Sequence, residues 1–307
     1  MTNAVFILIR TLHFGSAMML FTLPFFILVI LRPFLSRQPV DGYPVFCQKL
    51  TTWLWASLAL EAVSGMLWFW FVAAQTGAQS PWSILAPSAM SAVLWQTSFG
   101  RLWLIRAAVG IIFGVALYYA TRRNTLLSSG QAPLKWLVIS IGACLLITLA
   151  WAGHAIIGLD RQILHLLADT PHLLIGAIWP MGLIPMAYYL WYINQQGQQL
   201  PADCEVETLQ RFSQTSLVAV LILLVTGSIN AWLMIGSWQD LVTTNSGRLL
   251  LGKVSVVAIM IAMGAFNRFH LMPRIHDVPL MFRTLRKTIV AESCLGLVVL
   301  FIVGMHT

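Results

Sequence analysis

Residues 212–236 read FSQTSLVAVLILLVTGSINAWLMIG, twenty-five positions without one charged side chain. A helix rises about 1.5 Å per residue, so about 20 apolar residues cross the hydrocarbon core of a bilayer. The stretch reads as a transmembrane helix. Its few hydroxyls and its asparagine are compatible with that, because a helix satisfies its own backbone in lipid. Outward from it, comparable runs lie at 4–31, 51–75, 102–121, 134–156, 164–193, 249–266 and 288–305. The longest connections, 32–50, 76–100, 194–211 and 267–287, leave no room for a soluble domain between them. A transmembrane barrel would alternate apolar and polar residues in short segments, and that pattern is absent. The expected fold class is therefore all-α, a polytopic membrane protein of eight transmembrane helices, called spans 1 to 8 below.

Composition agrees. Of 307 residues, 59% are hydrophobic and 9% charged, against about 25% charged in soluble domains. Mean hydropathy is +0.81, which also excludes an intrinsically disordered chain. A net charge of +8 would ordinarily suggest nucleic acid. Here the positive residues sit between apolar runs and read as topology signals, so the expected surroundings are a lipid bilayer and no nucleic acid. Twelve Lys and Arg fall on one face: Arg32, Arg37, Lys49, Arg122, Arg123, Lys135, Arg211, Arg268, Arg274, Arg283, Arg286 and Lys287. Only Arg101, Arg161 and Arg248 flank the other. The positive-inside rule then puts both termini outside the cytoplasm. The first run lacks a basic leader and a small-residue cleavage site, and is expected to remain as span 1 rather than act as a signal peptide. Four cysteines without a close pair give neither a disulfide framework nor a CxxC site.

The chain also repeats itself. Thr97-Ser-Phe-Gly-Arg-Leu-Trp-Leu-Ile-Arg106 opens span 3, and Thr244-Asn-Ser-Gly-Arg-Leu-Leu-Leu-Gly-Lys253 opens span 7. Thr11-Leu-His13 pairs with Thr170-Pro-His172, Ser64-Gly65 with Thr226-Gly227, and Cys144 with Cys294, while His154 and His306 close spans 4 and 8. Four matches in order suggest two parallel four-helix repeats, 1–156 and 157–307. An even number of spans per half relates them by an axis along the membrane normal.

Ionisable groups inside a span are costly and mark a pathway or a site. His13, His154, His165, His172 and His306 all fall in the outer half of the membrane or at its outer surface under this topology. His165, Asp169 and His172 follow an i, i+4, i+7 spacing that puts them on one face of span 5. Pro171 suits a first helical turn, with Asp169 or Thr170 as an N-cap. Met18, Met19, Met181 and Met186 lie deeper on the same two spans. Imidazole with thioether suits copper, especially Cu(I), whereas Mg²⁺ or Ca²⁺ would call for clustered carboxylates. The candidate metal ligands are His13, His154, His172, His165, Asp169, His306 and Met19. Each has a plainer alternative, since a histidine in a membrane often bonds a neighbouring helix and methionine often fills core space. His13 and His172, at matched depth, also suit the two axial ligands of a b-type haem. Glu61 and Arg106 read as a buried ion pair, with a role in proton or ion coupling as the alternative. No nucleotide-binding loop and no nucleophile–base constellation is present, which argues against an ATP-driven pump and an enzyme.

His154-Ala155, the segment His165-Leu-Leu-Ala-Asp-Thr-Pro-His172 through Trp179-Pro-Met-Gly182, Arg211-Phe-Ser213, Thr226-Gly227, Thr244 to Lys253 and Asn267-Arg268 resemble the copper resistance protein D (CopD) family. The resemblance covers nearly the whole chain and is strongest over 150–275. Where that family tends to carry Trp-x-Gly-Gly, this chain has Trp179-Pro-Met-Gly182. The resemblance implies a bacterial inner-membrane protein that moves copper inward, served by a small periplasmic copper-binding protein of the CopC type. A copper-binding subunit without flux is the remaining alternative.

Overall fold

The computed structural model describes residues 2–31, 43–77, 80–82, 87–123, 126, 133–152, 159–195, 203–235, 237–275 and 277–305. Among them are eight helices long and apolar enough to cross a membrane: Ala4–Ile30, Val45–Thr76, Ser98–Arg122, Pro133–Trp151, Leu166–Gln195, Glu205–Met234, Asn245–Arg274 and Pro279–Met305. No strand occurs among the described residues. All eight expected spans are present, and the protein is an all-α polytopic membrane protein.

Several helices outrun their apolar runs. Span 2 is helical from Tyr43, span 6 from Asp203 and span 8 from Pro279. Hydropathy marks only the lipid-facing portion, whereas backbone hydrogen bonding carries a helix on into the polar boundary. The connection 76–100 contains a further helix, Pro87–Gln96. Pro171 lies inside the helix Leu159–Gly176 rather than in its first turn, so neither Asp169 nor Thr170 caps it. The spacing of Asp, Thr and Pro resembled a helix start, but the helix begins twelve residues before that proline. Span 5 then opens into a π-turn, Ala177–Met181, around Pro180. Proline has no N–H to give, and the wider turn accommodates the break. Thr22 of span 1 donates to the carbonyl of Ala177 at 2.8 Å, which ties the turn to the centre of the bundle.

Span 1 packs against spans 2, 4 and 8 and against the π-turn of span 5. Span 5 packs against spans 6, 8 and 4. Spans 1, 4, 5 and 8 therefore form the centre, with spans 2 and 3 on one side and 6 and 7 on the other. The core gathers Leu20, Leu23, Phe26, Phe113, Tyr189 and Phe282. Large apolar side chains such as Ile111, Val225 and Phe269 face outward, as a lipid-exposed surface requires.

The repeated Thr-x-x-Gly-Arg-Leu has a physical purpose. Thr97 Oγ1 accepts the N–H of Gly100 at 2.9 Å and caps span 3; Thr244 Oγ1 accepts the N–H of Gly247 at 3.0 Å and caps span 7. Each glycine lies against the backbone of a preceding short helix, Pro87–Gln96 or Asp240–Thr243. A Cβ would stand 2.2 Å from the carbonyl oxygen of Val93 at Gly100 and of Asp240 at Gly247.

Candidate metal-handling site

His13, on the central span 1, is 2% exposed. Its Nδ1 lies 3.0 Å from Ser64 Oγ and its Nε2 lies 2.8 Å from Arg106 Nη2. A guanidinium can only donate, so Nε2 must be the bare nitrogen and Nδ1 must carry the proton. Ser64 accepts that proton while passing its own to the carbonyl of Leu60 at 2.6 Å. Both ring nitrogens are thus engaged. Trp103 stacks on the ring at 5.5 Å between centroids, and Trp68 meets it edge-on at 5.3 Å.

Arg106 is the hub of this cluster. Its Nη1 donates to the carbonyl of Leu145 at 3.0 Å and to Thr148 Oγ1 at 2.6 Å, and its Nη2 pairs with the Glu61 carboxylate. Ser16 donates to the other Glu61 oxygen at 2.9 Å. The guanidinium therefore joins spans 1, 2, 3 and 4. The expected Glu61–Arg106 pair is present, and the neutral His13 is an unexpected third member, held through Arg106. Buried charge is tolerated in an apolar bundle when paired and fully hydrogen-bonded, and this cluster meets that condition.

The second half builds a related but more open arrangement. His172 Nδ1 lies 3.0 Å from Thr226 Oγ1, and Thr226 gives its own proton to the carbonyl of Ile222 at 2.8 Å. The imidazole proton is therefore on Nδ1, and Nε2 holds the lone pair. Nε2 makes no hydrogen bond among the described residues. One turn earlier, Asp169 Oδ1 accepts from Asn230 Nδ2 at 3.1 Å, and the buried Asn230 Oδ1 has no hydrogen-bond partner among the described residues. Lys253, the counterpart of Arg106 in the sequence repeat, is within electrostatic reach of both His172 and Asp169.

Other candidates fall differently. His154 and His306 lie outside the described residues. His165 is in the helix Leu159–Gly176, but its side chain is not among those described. Met19 sits six positions beyond His13, about 240° further round the helix, and packs partly buried among apolar side chains. Met18 and Met181 share the adjoining apolar cluster. Cys144 and Cys294 face away from the bundle. Among the described residues, no three His, Cys, Asp or Glu side chains come together to hold a metal.

The sequence reading missed the hydroxyl partners of the histidines, although it found the Ser64-Gly65 and Thr226-Gly227 match. The hydroxyl receives Nδ1–H and the glycine makes room for the ring. A Cβ on Gly65 would lie 3.2 Å from His13 Cε1, and one on Gly227 the same distance from His172 Cε1. A hydroxyl–glycine pair one span after a buried histidine was the available signal.

Eight apolar helices enclosing polar clusters define an integral membrane protein of the polytopic helical class. More specifically, the chain belongs to the copper resistance protein D family. The profile described as "Copper resistance protein D-like, N-terminal domain" matches residues 1–161, and that of "Copper resistance protein D" matches residues 206–306. Copper resistance protein D of Pseudomonas syringae pv. tomato is 30% identical over 275 residues, 89% of this chain and 84% of that protein. Inner membrane protein YebZ of Escherichia coli (strain K12) is 27% identical over 275 residues, 88% and 86% of the two chains. Copper transport protein CutJ of Bacillus subtilis (strain 168) is 29% identical over 227 residues, 73% of this chain but only 39% of CutJ.

Proposed function

We propose that this protein carries copper inward across the bacterial inner membrane, and that His172 is its principal copper contact on the periplasmic side. Both termini then lie in the periplasm and the basic loops in the cytoplasm. The observation that carries this reading is the state of the two histidines. His172 Nδ1–H is held by Thr226, while Nε2 presents a lone pair that no described residue engages. A metal-binding imidazole is typically held this way, its second nitrogen fixed by an oxygen acceptor. Asp169 and Asn230, whose Oδ1 has no partner among the described residues, stand beside it, and His165 and His154 are the further donors nearest in sequence. His13, with Nε2 taken by Arg106, is the structural counterpart in the first half.

The halves 1–156 and 157–307 are on this reading parallel repeats in which the second kept its histidine open. The exchange of neighbours between spans 1 and 5 supports it. A small periplasmic copper protein of the CopC type would deliver the cargo. The haem reading has weaker support, because axial ligation needs a free lone pair at His13 as well. Copper uptake by proteoliposomes of the purified chain tests the proposal. His172→Ala should reduce uptake to the level of empty vesicles while the protein remains monodisperse, and uptake at the wild-type rate would refute it.

A further inference from the structure

Spans 5, 6, 7 and 8 enclose a cavity of about 130 Å³. It lies at the start of span 6 and the end of span 7, the end of the bundle that carries Arg211, Arg268 and Arg274. Its walls are largely apolar, with Leu183, Phe212 and Ile289 among them, and the Glu292 carboxyl borders it. Glu292 is 2% exposed and, unlike Glu61, makes no ion pair among the described residues. Only one other ionisable side chain lines the cavity among the described residues, Arg268 of span 7. That guanidinium donates to Ser213 Oγ at 2.7 Å and lies over the Phe269 ring. The lining residues of spans 5 and 6 carry no charge.

What surrounds Glu292 decides which ligand it can take. Asn267 Nδ2 donates to Oε2 at 3.2 Å, and the Trp179 side chain, whose only polar group is an N–H donor, lies close to the carboxyl. The Asn267 oxygen faces Thr288 instead, accepting from its hydroxyl at 2.6 Å. Both neighbours thus turn N–H groups toward the carboxyl. A metal ion needs several lone pairs around it, and a soft ion such as Cu(I) needs sulfur or imidazole. Donors cannot supply either. An unpaired carboxylate inside a membrane is costly, and a proton is the one cation that relieves the charge without further ligands. The cavity has room for several waters, and Ser216, whose buried Oγ has no partner among the described residues, also lines it.

We propose that Glu292 is a proton-binding site, loaded and unloaded through this cavity from the basic end of the bundle, and that its protonation is coupled to passage of copper through the second half. The coupling rests on the transport reading above; the proton site does not. The full chain in proteoliposomes, supplied with buffered Cu(I), should take up copper at a rate that changes several-fold when a pH gradient is imposed. Glu292→Gln, which mimics the protonated acid, should make uptake insensitive to the gradient. An E292Q protein that responds like wild type would overturn the coupling, as would a wild type that ignores the gradient. If wild type moves no copper, the transport reading fails and the site is judged by infrared difference spectra of the purified protein between acid and alkaline pH. A carboxylic C=O band absent from E292Q supports the site, and identical spectra overturn it. Should E292Q fail to fold, Glu292→Asp replaces it, with a displaced band expected and an unmoved one contrary.

Discussion

At the scale of single residues, the account turns on which partner reaches each imidazole lone pair. His13 and His172 occupy matched places in the sequence, and both give Nδ1–H to a hydroxyl one span later. They differ at Nε2. Removing the acceptor of His172 with Thr226→Val should loosen the ring and weaken Cu(I) affinity about 10–100-fold, as loss of such outer partners typically does; competition titration against a Cu(I) chelator measures it. The first-half cluster should behave as structure. Glu61→Gln leaves Arg106 buried without its counter-charge and should cost about 3–5 kcal/mol, read as a lowered unfolding midpoint in detergent. An E61Q protein as stable as wild type would show that the pair holds nothing together. The matched histidines and the Glu61–Arg106 pair were legible in the sequence. The difference in availability was not, because Arg106 reaches His13 across a separation of 93 residues and only packing brings them together.

At the scale of helices, the repeated Thr-x-x-Gly is a cap joined to a close crossing. Gly100→Ala or Gly247→Ala would force a methyl into a backbone carbonyl, and each should destabilise the protein by about 1–3 kcal/mol. Thr97→Val and Thr244→Val remove the caps and should cost about 1 kcal/mol each. Thermal unfolding of the four variants checks both, and neutral glycine substitutions would contradict the crossing. The eight spans were readable because about 20 apolar residues in a row have few other uses. Helix ends were not readable from apolarity, as span 6 shows by starting at Asp203. Pro171 misled for a related reason. A local Asp-Thr-Pro pattern favours a start, but tertiary packing carries the helix through it. The polar wall around Glu292 was also illegible, since it is drawn from the Trp179 π-turn, Asn267 and Thr288 on three different spans.

For the whole molecule, spans 1, 4, 5 and 8 form the centre, with the ion cluster of Arg106 among spans 1 to 4 and His172 of span 5 bonded to span 6. On the proposed orientation, which follows the positive-inside rule, the basic loops face the cytoplasm. Single cysteines placed at Ser237 and at Lys287 in a cysteine-free background test that orientation. The first should react with an impermeant maleimide on intact spheroplasts and the second only after lysis; the opposite pattern would invert the protein and remove His172 from the periplasmic side. The most direct test of the central claim is Cu(I) binding by the purified full-length chain, titrated against a chelator for wild type and His172→Ala. Wild type should hold a tight site that H172A loses. Equal affinity in the two proteins would contradict it.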